Sequence, residues 1–379
     1  RKDMKRLTLI SLIIYFVSYS IYAQSFVSNV SKRGTSAAPF LSISQGARAS
    51  AMGSAFVAIS DDQSAIYWNP AGLAKLSGVG ILFEHTKWIA DIDYNFFAAT
   101  YNLGDMGSVG FSFLTSNIGE MNVTTIEEPE GTGETFSVSD AMFSLAYAIK
   151  LTDNFAIGFN PKFVMQKIWK MTATAFAVDM GVQYVTPFDG AVLAMSISNF
   201  GTKMKLDGNT ALVLVDLDPN SSGNNGQIPA YLQTEGWELP LNFRVGIAYR
   251  PIDTQMHKLN LAVDAMHPSD NYESVNVGAE YIFNDMFSIR GGYKSLFLKD
   301  SEESFTFGFG VKQLLLGNIA IKVDYSYGSF GRLTNVQKFS LGINFWYCLA
   351  FQFSNLQRGR CFFCLLLLFI SIFSKKLFI

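Results

Sequence analysis

Cysteine is almost absent: there are three in 379 residues, Cys348, Cys361 and Cys364, all in the last segment. The body of the chain therefore has neither a disulfide framework nor thiol chemistry. Charge is also scarce, at 16% of residues, against about 25% in an average soluble domain. The net charge of -2 excludes a nucleic-acid partner, which calls for a basic surface. Histidine is limited to His85, His257 and His267. No GxSxG or other nucleophile motif surrounds a serine, and no acid–base set assembles. The expectation is a non-enzymatic protein with no cofactor and no metal. The acidic run Glu127, Glu128, Glu130 and Glu134 fits no cation cage and reads as solvated charge, as do Asp300, Glu302 and Glu303. Between residues 24 and 345 no stretch is long and apolar enough to be a spanning helix.

What the chain does have is 34 Phe, 16 Tyr and 31 Gly, the mixture of strands that face lipid and turn tightly. Apolar and polar residues alternate, most clearly in the second half. Phe243, Val245, Ile247 and Tyr249 interleave with Asn242, Arg244, Gly246 and Ala248, and Phe305, Phe307, Phe309 and Val311 with Thr306, Gly308, Gly310 and Lys312. A soluble sandwich would alternate too. However, mid-strand Lys, Arg, Asp and Asn would stand unpaired in a dry core, whereas a barrel lumen accepts them. About 14 strands are expected, near 79–89, 92–103, 107–117, 137–151, 155–168, 172–185, 191–200, 241–250, 257–266, 274–283, 286–296, 304–313, 319–327 and 336–345. The fold class is thus an all-β transmembrane antiparallel β-barrel with a small N-terminal plug. Connection lengths agree in parity. The longest, 118–136 and 201–240, fall at odd positions and face outward if the N-terminus is periplasmic; the short turns at Leu151, Thr186 and Asn284 fall at even ones. Segment 201–240 contains DPNSSGNNGQIP and reads as a mobile outer loop, with a gate or partner contact as its functional alternative.

A lumen of this width needs filling by more than strand side chains. The stretch GARASAMGSAFVAISDDQSAIYWNPAGLA, residues 46–74, offers a thin segment rich in Gly and Ala. Gly46, Met52 and Gly53 belong to its narrow part, and Arg48 is expected to pair with a lumenal acid such as Asp264, Glu280 or Asp324. Asp61 or Asp62 is expected to cap a short helix through Trp68, which Asn69-Pro70 stops ahead of Gly72. Gly291-Gly292, inside a strand, suggests a close backbone contact with this plug.

The same stretch closely resembles the N-terminal signature of PorV/PorQ family proteins, relatives of the FadL-type transporters. The resemblance implies a fourteen-stranded barrel in the outer membrane of a Gram-negative bacterium, in contact with outer-membrane lipids. It also implies type IX protein secretion, with the secretion translocon and secreted cargo as partners. The alternative is a FadL-like transporter of hydrophobic small molecules. Lipid hydrolysis, another activity raised by the resemblance, finds no catalytic set in this sequence.

Lys5 and Arg6, the apolar run Leu7–Tyr22 and Ala23-Gln24 read as a secretory signal peptide. The expected divisions are signal peptide 1–23, periplasmic N-terminal segment and lumenal plug 24–77, barrel 78–345 and an apolar tail 346–379. Phe345 ends the last strand as a barrel-terminal aromatic. The tail is too short for a spanning helix and its lone CxxC completes no zinc site, so it reads as a read-through product. The three residues before Met4 suggest a similarly untrimmed frame.

Overall fold

The computed structural model describes residues 32–345, apart from 189, 218–219, 221–222, 224–226, 299–300 and 316–318. The expected leader, the tail with its cysteines, and Asp300 lie outside the described residues. Alternation becomes a wall of fourteen antiparallel strands. They are β1 Val79–Lys87, β2 Asp93–Asn102, β3 Ser108–Asn117, β4 Val138–Thr152, β5 Phe155–Ile168, β6 Met171–Val185 and β7 Val192–Gly201, then β8 Asn242–Asp253, β9 His257–Pro268, β10 Ser274–Phe283, β11 Phe287–Leu296, β12 Phe305–Leu315, β13 Ile319–Ser329 and β14 Asn335–Phe345. Each pairs with the next in sequence, and β14 returns to β1 through Phe345↔Val79, Ile343↔Ile81 and Leu341↔Phe83. Closure leaves no open edge, which a wall in lipid requires. The observed strands match the expected ones to within a few residues.

The period of two sends alternate side chains to opposite sides. Phe305, Phe307 and Phe309 are exposed outward, while Arg244, Asp264, Glu280, Arg290 and Asp324 are buried toward the lumen. The lumen is not uniform. From β1 to β6 its face carries Leu82, Phe96, Leu114, Met142 and Val164, packed with Phe40, Leu41, Ile66 and Leu73 of the preceding segment. The lumenal face of these strands thus mixes apolar residues with polar ones such as Glu84, Asp140, Lys162 and Asp179, which explains why alternation fades in the first half.

Residues 38–75 fill the lumen as two short helices, α1 Ala47–Ala51 and α2 Ala65–Trp68, flanked by 3-10 turns Pro39–Ser42 and Pro70–Lys75. This inner segment enters from the end of the barrel that carries the long connections. Ala37 N donates to Glu238 O at 2.8 Å, in the connection after β7. Arg33 Nε donates to Asn271 Oδ1 at 2.9 Å and Ser36 Oγ to Asp270 Oδ2 at 2.6 Å, both in the connection after β9. The segment leaves at the opposite end, where Asn102 Nδ2 donates to Leu76 O. A periplasmic N-terminal segment would enter across from the long connections; the chain instead threads the lumen from their side.

The connection after β7 also differs from a structureless loop. Leu212–Val215 pairs with Ile228–Tyr231, and Met204–Lys205 with Gly236–Trp237. Most of the Asn- and Gly-rich stretch lies outside the described residues, and the alternating residues on either side of it supply the paired strands.

Candidate functional site

The site is the contact between inner segment and wall. Its charged half is built on Arg48 in α1. Arg48 Nε and Nη2 donate to the two oxygens of Glu280 on β10, at 2.8 and 2.7 Å. Arg48 Nη1 also meets Asp61, and Asp62 at 3.3 Å. Glu280 in turn accepts from Arg290 Nε at 2.7 Å and Asn260 Nδ2 at 2.8 Å. Arg290 Nη1 continues to Asp324 Oδ1 at 2.7 Å, and Lys322 lies 3.3 Å from Asp324 and 3.8 Å from Asp62. The network thus links the inner segment to strands β9, β10, β11 and β13. Burial acts to lower the Arg48 pKa, but Asp61, Glu280 and Asp62 outweigh it and raise it well above the usual arginine value, so the guanidinium stays charged. Of the three expected acids only Glu280 holds Arg48. Asp324 is taken by Arg290 and Lys322, and Asp264 does something sequence reasoning missed. Its Oδ2 accepts the backbone N–H groups of Phe56 and Val57, at 2.7 and 2.9 Å, satisfying donors of a segment that has no sheet to join.

The second device is steric. Gly53 has φ 63°, a left-handed conformation that glycine adopts without strain. A side chain there would lie 2.6 Å from Val277 O and 2.7 Å from Tyr293 N. Across from it, a Cβ on Gly278 would run into Met52 O, and one on Gly292 into Gly53 N. The wall glycines are thus dents that receive the backbone of Met52-Gly53, and Gly53 N donates to Thr306 Oγ1 at 2.8 Å. The expected close contact holds for Gly292; at Gly291 an added Cβ would meet only Thr306 O, 3.9 Å away.

The aromatic end is anchored by Trp68 and Asn69. Trp68 is buried and its Nε1 donates to Gln45 O at 2.7 Å. The Arg244 guanidinium stands 5.2 Å from the Trp68 ring and 5.4 Å from that of Tyr67, in cation–π range. Asn69 Nδ2 donates to Val57 O at 3.2 Å and to Val182 O of β6 at 3.1 Å, while Oδ1 accepts Ala71 N at 3.1 Å. Asn69 is extended, as a residue before proline should be, and α2 ends at Trp68. Pro70 then opens a 3-10 turn whose Ala71 and Gly72 pack against Gly158 of β5 and Ser60 respectively. The expected aspartate cap is corrected: Ser64 occupies the N-cap of α2 without a side-chain cap bond. Asp62 Oδ1 instead accepts from Ser64 N at 3.0 Å, two residues on, because Asp62 and Asp61 are turned toward Arg48. Gly46, at φ 91°, precedes α1. Phe345 lies apart from all of these, at the barrel seam between β1 and β13.

Residues 27–213 match the family described as type IX secretion system protein PorV. No curated protein matches the chain in sequence. Among solved structures, a TodX mutant monoaromatic hydrocarbon channel is similar at 12% identity and a TM-score of 0.51, over 80% of this chain and 99% of that one. The P. putida toluene transporter TodX is similar at 11% identity and a TM-score of 0.50, over 79% and 96%. These two likenesses concern the fold: a closed, FadL-like barrel. With the signature stretch in the lumen of such a barrel, the chain is an outer-membrane β-barrel whose residues 27–213 match the PorV family.

Proposed function

We propose that this barrel is a non-enzymatic component of type IX protein secretion that handles cargo or engages the secretion translocon at the cell surface. The observation that carries the reading is the family match over residues 27–213, which takes in both the inner segment and the wall as far as β7. The filled lumen supports it. Two cavities between inner segment and wall measure about 40 and 10 Å³, small beside the ~150 Å³ of an apolar cavity that takes benzene. The inner segment, with Gly46, Arg48, Met52, Gly53, Asp61, Asp62, Trp68, Asn69, Pro70 and Gly72 as its fixing residues, acts as a plug. The long connections face outward and the short turns face the periplasm.

The test is to crosslink a tagged copy in intact cells, extract it in mild detergent and identify what is bound by mass spectrometry. A large translocon barrel, or secreted proteins sharing a C-terminal domain, is the expected result. A monomer carrying a stoichiometric apolar small molecule overturns it in favour of transport.

A further inference from the structure

At the long-connection end of the lumen, a cavity of about 40 Å³ lies between the inner segment and the wall from β11 to β14. Its polar lining comes from hydroxyls on both sides, among them Ser54, Thr306 and Ser326, and its apolar lining includes Trp88 and Phe330. The two rings meet edge to face, with centroids 5.2 Å apart. Ser54 is 2% exposed, and its Oγ has no hydrogen-bond partner. A buried hydroxyl left unpaired is unfavourable, and here it borders a cavity whose occupant could pair with it.

We propose that this cavity is a binding site for one edge of a neutral saccharide. The volume corresponds to about three waters at ~10–15 Å³ each. Three hydroxyls on one side of a sugar ring present donors and acceptors in the same way as three waters, so they can replace them without stranding Ser54. The C–H face of the ring then rests on Trp88, an apolar surface beside a polar one. Charge selects against an anionic ligand, because both lining lysines are already matched: Lys294 lies 2.5 Å from Glu303 and Lys338 lies 3.4 Å from Glu84. Hydrocarbon is also disfavoured, since it would leave the Ser54 hydroxyl dry and unpaired.

The test uses the full chain purified in detergent, titrated with methyl α-glucoside and followed by saturation-transfer NMR. Saturable binding is expected, with Ser54→Ala and Trp88→Leu each weakening it about tenfold or more, equivalent to about 1.4 kcal/mol. Thr135→Ala, in the connection after β3, should change nothing. Ser326→Ala provides a second cavity variant, and thermal unfolding without ligand checks that each variant folds. A micelle of a glycolipid bearing the same sugar separates the sources: tighter binding that the free glycoside displaces assigns the site to a lipid headgroup, and equal affinity assigns it to soluble sugar. Absence of saturable binding means the cavity holds water alone and overturns the proposal. So does binding that neither Ser54→Ala nor Trp88→Leu alters, or displacement of the glycoside by toluene.

Discussion

Replacing Arg48 by methionine keeps much of its length and removes its charge. Glu280 accepts four hydrogen bonds, two from Arg48 and one each from Arg290 and Asn260. Breaking a buried pair by removing one partner costs about 3–5 kcal/mol. Arg290 still faces the stranded carboxylate, so the low end, about 3 kcal/mol, applies. At 1.36 kcal/mol per decade this is roughly a hundredfold change in an equilibrium constant. If the inner segment is held chiefly by this network, the loss falls on its local opening and leaves the closed wall largely unaffected. Hydrogen exchange read by mass spectrometry should therefore accelerate about a hundredfold in peptides covering residues 46–60, with strands β2 to β5 unchanged. The double variant Arg48→Met, Glu280→Gln should recover part of the loss, because no buried charge is left unmatched. Exchange of residues 46–60 that stays within about threefold of wild type would refute the reasoning, since a pair worth ~1 kcal/mol or less is what a solvated contact provides.

Further expectations follow from the same contacts. Gly292→Ala places a methyl on Gly53 N and should lower the thermal midpoint, whereas Gly291→Ala, with only Thr306 O at 3.9 Å, should be close to neutral; equal effects at the two positions would remove the dent argument. Asn69→Ala removes one donor each from the Val57 and Val182 carbonyls, the former keeping Gln183 Nε2, and leaves Ala71 N without its acceptor; it should cost about 1–3 kcal/mol in urea unfolding. Phe309→Arg puts charge on the outward face of β12 and should cost about 2–4 kcal/mol in folding into vesicles if that position lies near the bilayer midplane; a neutral result would place it outside the hydrocarbon. Glu302 accepts Arg332 N at 3.0 Å and Arg332 Nε at 2.8 Å, and these bonds lower its pKa. A depressed carboxylate adds stability that is complete above the ordinary glutamate value of about 4.3 and is lost as pH falls through the lowered one. Carboxyl NMR should titrate below about 4.3 in the wild type and move up in Arg332→Ala.

The wall was legible because alternation is a direct image of a two-faced strand, and the lumenal charges at Arg244 and Asp264 stood where a dry core would refuse them. The inner segment was legible from its small residues, and Arg48 from being a lone cation among them. What stayed hidden depends on register. Whether Arg48 meets Glu280, Asp264 or Asp324 turns on a few ångströms of depth in the lumen, and nothing local in the sequence states that depth. Asp264 capping Phe56 and Val57 is likewise a contact across some two hundred residues. The direction of threading was missed for a related reason: parity of connections orders the two ends of a barrel but does not say from which end a preceding segment enters. In the connection after β7 the Asn- and Gly-rich composition of the sequence outweighed the short alternating runs beside it, Leu212–Val215 and Ile228–Tyr231, which pair.

The most direct test of the central claim is made in cells lacking this barrel, by quantitative fractionation of proteins that carry a C-terminal secretion domain. The expected result is their retention in the periplasm, reversed by the wild-type chain. Normal export of those proteins, together with impaired uptake of an apolar small molecule, would contradict it.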